Sequence, residues 1–128
     1  MKQRWLRYGW MMALGVAHAQ TFAAWASGGL QILILSLAWA LFAVARPEDK
    51  PVRQMFVFAL AWFCAGLYWL HFSMHDIGGL PTVLSMLAIV VLCAYLAGFY
   101  ALAAWLWRRF FTGQKLSDYL IAMPALWL

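Results

Sequence analysis

Hydrophobic positions fall in long blocks, and polar positions gather in short breaks between them. Uncharged apolar runs extend from Ala26 to Ala45, from Met55 to Met74 and from Leu80 to Trp107. A shorter run, Tyr8–Ala19, precedes them, and a last one, Tyr119–Leu128, continues to the end of the sequence. Apolar runs of about 20 residues match the ~30 Å hydrocarbon core of a bilayer, and a longer one can span it with tilt. The pattern predicts an all-α, polytopic transmembrane helix bundle. Its four complete spans are expected near 8–24, 26–45, 55–74 and 80–107, with a truncated fifth at 117–128. Ten helical residues reach only about half-way across a bilayer. Residues 1–128 are therefore read as the N-terminal transmembrane domain of a longer protein, a fragment.

Composition strengthens this picture. The chain is 67% hydrophobic and 10% charged, with nine Trp residues. Soluble domains usually carry close to a quarter charged residues, so the expected solvent here is largely lipid. Charge then supplies an orientation. Lys2, Arg4 and Arg7 precede the first run, Arg46, Lys50 and Arg53 fill the connection after the second, and Arg108, Arg109 and Lys115 follow the fourth. All nine basic residues thus fall on one side of the expected bundle, which the positive-inside rule makes cytoplasmic. The N-terminus is expected on that side and the 75–79 turn on the opposite one. The net charge of +5 reads as a topology signal with some attraction to anionic lipid, and not as a nucleic-acid footprint.

The first segment has two readings. Its basic start, apolar Tyr8–Val16 and Ala17-His18-Ala19 follow the pattern of a cleavable signal peptide. The other reading is a retained helix, with Ala13 and Ala17 as a small-residue contact surface. Ala94 and Gly98 suggest a second close helix contact. The linker Arg46–Arg53 is a polar turn in which Pro47 and Pro51 break the helices. Trp25, Trp105 and Trp107 sit where interfacial aromatic belts are expected.

Candidate chemistry is sparse. Cys64 and Cys93 lie mid-run, without a base or a cation nearby to activate a thiol, and read as packing residues. No catalytic residue and no cofactor is expected. The stretch HFSMHDIGGLP, residues 71–81, concentrates the polar groups. His71 and His75 are four apart and Asp76 is adjacent, which permits a metal-ligand alternative. Against it stands the ordinary comfort of His, Trp and Tyr at the headgroup level, and no metal is expected. Gly78, Gly79 and Pro81 have the signature of a tight turn, glycine ending one helix and proline opening the next. Trp69 and Ser73 lie one helical turn apart, just inside it.

These residues carry a resemblance. Trp69, Ser73, Gly78, Gly79 and Pro81, spaced W-x3-S-x4-GG-x-P, resemble the N-terminal membrane region of bacterial apolipoprotein N-acyltransferase. Cys93-Ala-Tyr-Leu96, Pro124-Ala-Leu-Trp127, Gly15 and Trp25 agree in register. One departure is Ala19-Gln20-Thr21, where the family tends to have Phe-x-Pro after the first helix. The resemblance implies an enzyme of lipoprotein biosynthesis in the bacterial inner membrane. Such an enzyme moves an acyl chain from a phospholipid to the lipidated N-terminal cysteine of a lipoprotein. Family members use a Glu-Lys-Cys triad in a nitrilase-like domain, to which nothing in this chain corresponds, so the chain alone is expected to be inactive. The implied partners are the phospholipid acyl donor, the lipidated lipoprotein N-terminus and membrane lipids, with no nucleic acid. The implied substrate- and lipid-binding residues are Trp69, Ser73, Gly78, Gly79 and Pro81. The alternative is a small stand-alone membrane protein, such as a transporter subunit or a helix-bundle partner.

Overall fold

The computed structural model describes residues 2–22 and 28–110. Among them every regular element is helical. Helix α1 runs over Lys2–Gln20, α2 over Gly28–Ala43, α3 over Pro51–Leu67, α4 over the short Leu70–Phe72, and α5 over Thr82–Phe110. A 3-10 turn, Pro47–Asp49, precedes α3, and a π turn, Ser73–Ile77, follows α4. The expected span at 117–128 and the Pro124–Trp127 motif lie outside the described residues, as does Trp25.

Helix α3 is the centre of the bundle, with α1 along one side and α5 along the other. Gly15 sets the distance between α1 and α3. A Cβ at this position would overlap the Phe58 carbonyl oxygen and lie 3.0 Å from both the Ala61 Cβ and the Trp62 amide nitrogen. Such close approach is how small residues join membrane helices, where lipid tails are as apolar as leucine. The expected contact through Ala13 and Ala17 is thus replaced by Gly15: Ala13 is exposed and Ala17 only partly buried. A similar correction applies to α5. A Cβ on Gly98 would meet nothing within 4 Å, whereas Ser85, Ile89, Cys93 and Ala97 are buried. Their spacing of four places them in one stripe against α3.

The core is offset toward the basic end. Met11, Ala38, Trp39, Phe42, Met55, Phe58, Ala104 and Trp107 form one buried cluster, drawn from α1, α2, α3 and α5. Phe42 sits at its middle, with Trp39 and Trp107 edge-on to it at ring distances of 5.1 and 5.7 Å. Trp107, expected in an interface belt, is a core residue instead. Around this cluster the Arg46–Lys50 turn is gripped from both sides. The Asp49 carboxylate accepts from Arg7 of α1 at 2.9 Å and from the Arg46 backbone N–H at 3.1 Å. The buried Gln54 side chain donates to the Asp49 carbonyl at 2.8 Å. Arg108 of α5 donates to the Ala45 carbonyl at 3.2 and 3.3 Å and lies over the Phe42 ring. Arg7, Arg46, Lys50, Arg53 and Arg108 therefore share one end of the bundle.

The helices are shorter than the apolar runs suggest. Among the described residues, α5 is long and apolar enough to cross a membrane by itself. It has 29 residues, hence a length of about 43 Å. Helices α2 and α3, of 16 and 17 residues, extend about 24 and 26 Å. They pass the same test only when joined across their connection, where the axis turns by 119°. Helix α1 carries three of its 19 positions as Lys or Arg, which dilutes its apolar content. The run at 55–74 is not one helix, because α3 starts at Pro51 and stops at Leu67. Pro51 supplies the N-terminal start, and the remainder of the run forms the turn described next.

Candidate functional site

After Leu67 the chain tightens and then widens. Trp69 caps the short α4, where His71 and Phe72 donate three residues back, to Tyr68 and Trp69 at 3.0 and 3.1 Å. The Gly78 N–H then reaches five residues back to Ser73, at 3.0 Å. A π turn of this kind is uncommon and tends to occur where backbone or side chains are displayed. The two glycines end it for separate reasons. A Cβ on Gly78 would lie 2.8 Å from the Met74 carbonyl oxygen. Gly79 has φ +65°, in the left-handed region that glycine occupies without strain. The Leu80 N–H closes on the Met74 carbonyl at 3.0 Å, one residue wider than the usual Schellman closure. Pro81 caps α5, its carbonyl accepting from Leu84 and Ser85 at 3.0 Å each.

This backbone holds two imidazoles in fixed orientations. The His75 Nδ1 is 2.7 Å from the Leu80 carbonyl. A carbonyl can only accept, so that nitrogen carries the proton. The His71 Nδ1 is 2.8 Å from the Ser85 Oγ. The Ser85 hydroxyl already donates its hydrogen to the Thr82 carbonyl at 2.9 Å, so its oxygen accepts from His71 Nδ1–H. Both neutral rings therefore keep the lone pair on Nε2. The rings are stacked within 5° of parallel, their centroids 5.4 Å apart. No three His, Cys, Asp or Glu residues gather as a metal set among the described residues, so Asp76 does not join the two histidines in one.

The residues singled out from the sequence all lie on this turn. Trp69 and Ser73 are exposed, with Trp69 at 54%. Gly78, Gly79 and Pro81 shape the backbone between them. Ser85 escaped sequence reasoning, although a serine hydroxyl near the start of a long apolar run was a usable signal. His18 entered the sequence reading only as part of the Ala17-His18-Ala19 pattern. It is 1% exposed and packs against Phe22, Phe58 and Trp62, the closest ring at 4.4 Å. Beside it, a cleft of about 380 Å³ opens between the C-terminal ends of α1 and α3, lined among others by Gln20, Phe22, Trp62 and Tyr68. Cys64 and Cys93 are free thiols against one another between α3 and α5.

Residues 9–128 match the family model of the apolipoprotein N-acyltransferase N-terminal domain. The chain belongs to this family. Among curated relatives, an apolipoprotein N-acyltransferase of Ralstonia nicotianae is 41% identical over 118 residues, which is 90% of this chain and 22% of that protein. One from Vibrio parahaemolyticus is 35% identical over 91% of this chain and 24% of its own length. One from Nitrosomonas europaea is 37% identical over 73% of this chain and 19% of its own length. The chain thus spans roughly a fifth to a quarter of the apolipoprotein N-acyltransferases it matches.

Proposed function

We propose that this chain is the membrane-embedded N-terminal part of an apolipoprotein N-acyltransferase, an enzyme of lipoprotein biosynthesis in the bacterial inner membrane. The whole enzyme transfers an acyl chain from a phospholipid to the lipidated N-terminal cysteine of a lipoprotein. This part anchors it and helps form the site through which lipid enters. The chain alone is expected to carry no acyl transfer: a thioester-forming cysteine needs a base and oxyanion donors beside it, and among the described residues Cys93 has the Cys64 thiol as its polar neighbour.

The observation that carries the reading, given the family, is the bare flank of α5. Val83, Leu87, Val90, Val91, Tyr95 and Phe99 are all more than half exposed, over a helix long enough to cross a bilayer. An apolar surface of that extent needs lipid or further helices around it. The grouping of arginines at one end supports an orientation with that end cytoplasmic and the 75–79 turn periplasmic. In this arrangement α1, α2 and α3 complete a multi-pass bundle around the α5 span, and α1 stays as a helix packed through Gly15. Trp69, Ser73, Gly78, Gly79 and Pro81 then face the outer headgroup layer, at the edge of the lipid access site.

The test is to replace Trp69 and Ser73 separately by alanine in a complete enzyme containing this segment. Reduced lipoprotein acylation at a normal protein level is expected. Unchanged acylation for both variants would remove the turn from the lipid site.

A further inference from the structure

We propose that the cleft between the C-terminal ends of α1 and α3 is a cation site, and that it takes the primary ammonium group of a phospholipid headgroup. Its volume is about 380 Å³, and its lining includes Gln20, Phe22, Trp62, Phe63, Leu67 and Tyr68. Three of the four rings are fixed by their neighbours. Phe22 and Trp62 lie within 12° of parallel, as do Trp62 and Phe63. The buried His18 is edge-on to Phe22 and Trp62, and Tyr100 of α5 is edge-on to Trp62 and Phe63. This wall is therefore set before any ligand arrives.

Charge selects the ligand. Both helices run from the basic end to this one, so the cleft lies at two helix C-termini, where partial negative charge collects and cations are favoured. The backbone adds an acceptor. The His71 N–H, which a continuing α-helix would give to Leu67, goes to Tyr68 instead, and the Phe72 N–H goes to Trp69. This change of spacing leaves the Leu67 carbonyl without its helical donor. Gln20 is exposed, and its amide offers a second oxygen. Aromatic rings attract a cation over their faces. No Lys or Arg occurs between Arg7 and Arg46 or between Arg53 and Arg108, so neither helix places a cation at this end. In the same two stretches Asp76 is the one carboxylate. Oxygen acceptors beside aromatic rings, with no cation built in, suit a group that is positive and donates N–H. A primary ammonium is such a group.

The choice of a lipid as the source rests on the lipid-facing reading of this end of the bundle, and the experiment separates lipid from free amine. The whole chain, labelled with fluorotryptophan, is held in maltoside micelles. The ¹⁹F line of Trp62, assigned with Trp62→Phe, is followed during titration. Dihexanoyl phosphatidylethanolamine is expected to shift that line to saturation. Its N-acetylated form keeps the chains and the phosphate, lacks the ammonium, and should leave the line in place. The net charge of +5 attracts the N-acetylated anion more strongly, so a preference for the amine form cannot come from net charge. A shift with ethanolamine but not with the lipid overturns the headgroup source. An equal shift with the N-acetylated lipid, or a shift with none of the three, overturns the site. Phe22→Leu and Tyr68→Leu each remove an exposed ring outside the core, and each should weaken binding about three- to tenfold. Unchanged affinity in both overturns the site as well. Acylation by the Trp69 and Ser73 variants is a separate readout. If they lower acylation while the cleft gives no ammonium response, the cleft alone is wrong. If the response is present and acylation is unchanged, the turn leaves the lipid site and the cleft keeps its ligand.

Discussion

The two ends of this bundle are made from the same helices and behave as opposites. At the basic end, Met11, Phe42, Met55, Phe58 and Trp107 are buried together, and the connecting turn is tied by Arg7, Gln54 and Arg108. At the histidine end, the connecting turn leaves Trp69, Phe72, Ser73 and Ile77 exposed, Ile77 at 87%. One end ties its turn to three helices through buried or half-buried polar groups. The other has the His71–Ser85 contact to α5 and otherwise leaves most of its side chains exposed, on a backbone shaped by a π turn and two glycines. The contrast places the buried core and its polar ties at the basic end and the exposed side chains at the histidine end.

That contrast can be broken by substitution, beginning with the largest effect. Phe42→Ala removes the ring around which the core and the Arg108 guanidinium are arranged, and should cost about 3 kcal/mol. The check is reversible unfolding of the whole chain in mixed micelles. A loss below about 1 kcal/mol would mean that the basic end is not the stability centre. Asp49→Ala strips the acceptor of Arg7 and the Arg46 N–H. Because the pair is about a quarter exposed, a smaller loss of about 1–2 kcal/mol is expected in the same assay. Gly79→Ala forces a Cβ into the left-handed region and should cost about 1 kcal/mol. Its effect on ¹⁵N histidine spectra should exceed its effect on stability, because the Leu80 carbonyl that orients His75 moves with it. Ile77→Ser should change stability by no more than about 0.5 kcal/mol. A large loss there would mean that the histidine end is packed, against the present description.

Much of this division was legible in the sequence. The apolar runs announced an all-helical chain, and the placement of Arg7, Arg46 and Arg108 foretold a common basic end. Gly-Gly-Pro identified the tight turn between α3 and α5. The helix limits were not legible, because hydropathy does not register a change of backbone hydrogen-bond spacing such as the one over Tyr68–Ile77. The close contacts were missed for a related reason. Ala13, Ala17, Ala94 and Gly98 are small, but whether a small residue faces a neighbour depends on helix rotation, which a weakly amphipathic run does not specify. Gly15 was noted for its family spacing and proved to be the position where α1 meets α3. The pairing of His71 with Ser85, fourteen residues apart across a turn, depends on the register between α4 and α5 and left no local signal.

The orientation proposed above has the histidine turn facing outward and the arginine-rich turn facing the cytoplasm. Single cysteines at Ile77 and at Glu48, both on exposed sites, test it directly, with Cys64 and Cys93 replaced by alanine. In intact spheroplasts, a membrane-impermeant maleimide should label Ile77→Cys at once and Glu48→Cys only after permeabilisation. The reverse pattern, or labelling of both before permeabilisation, would contradict the account.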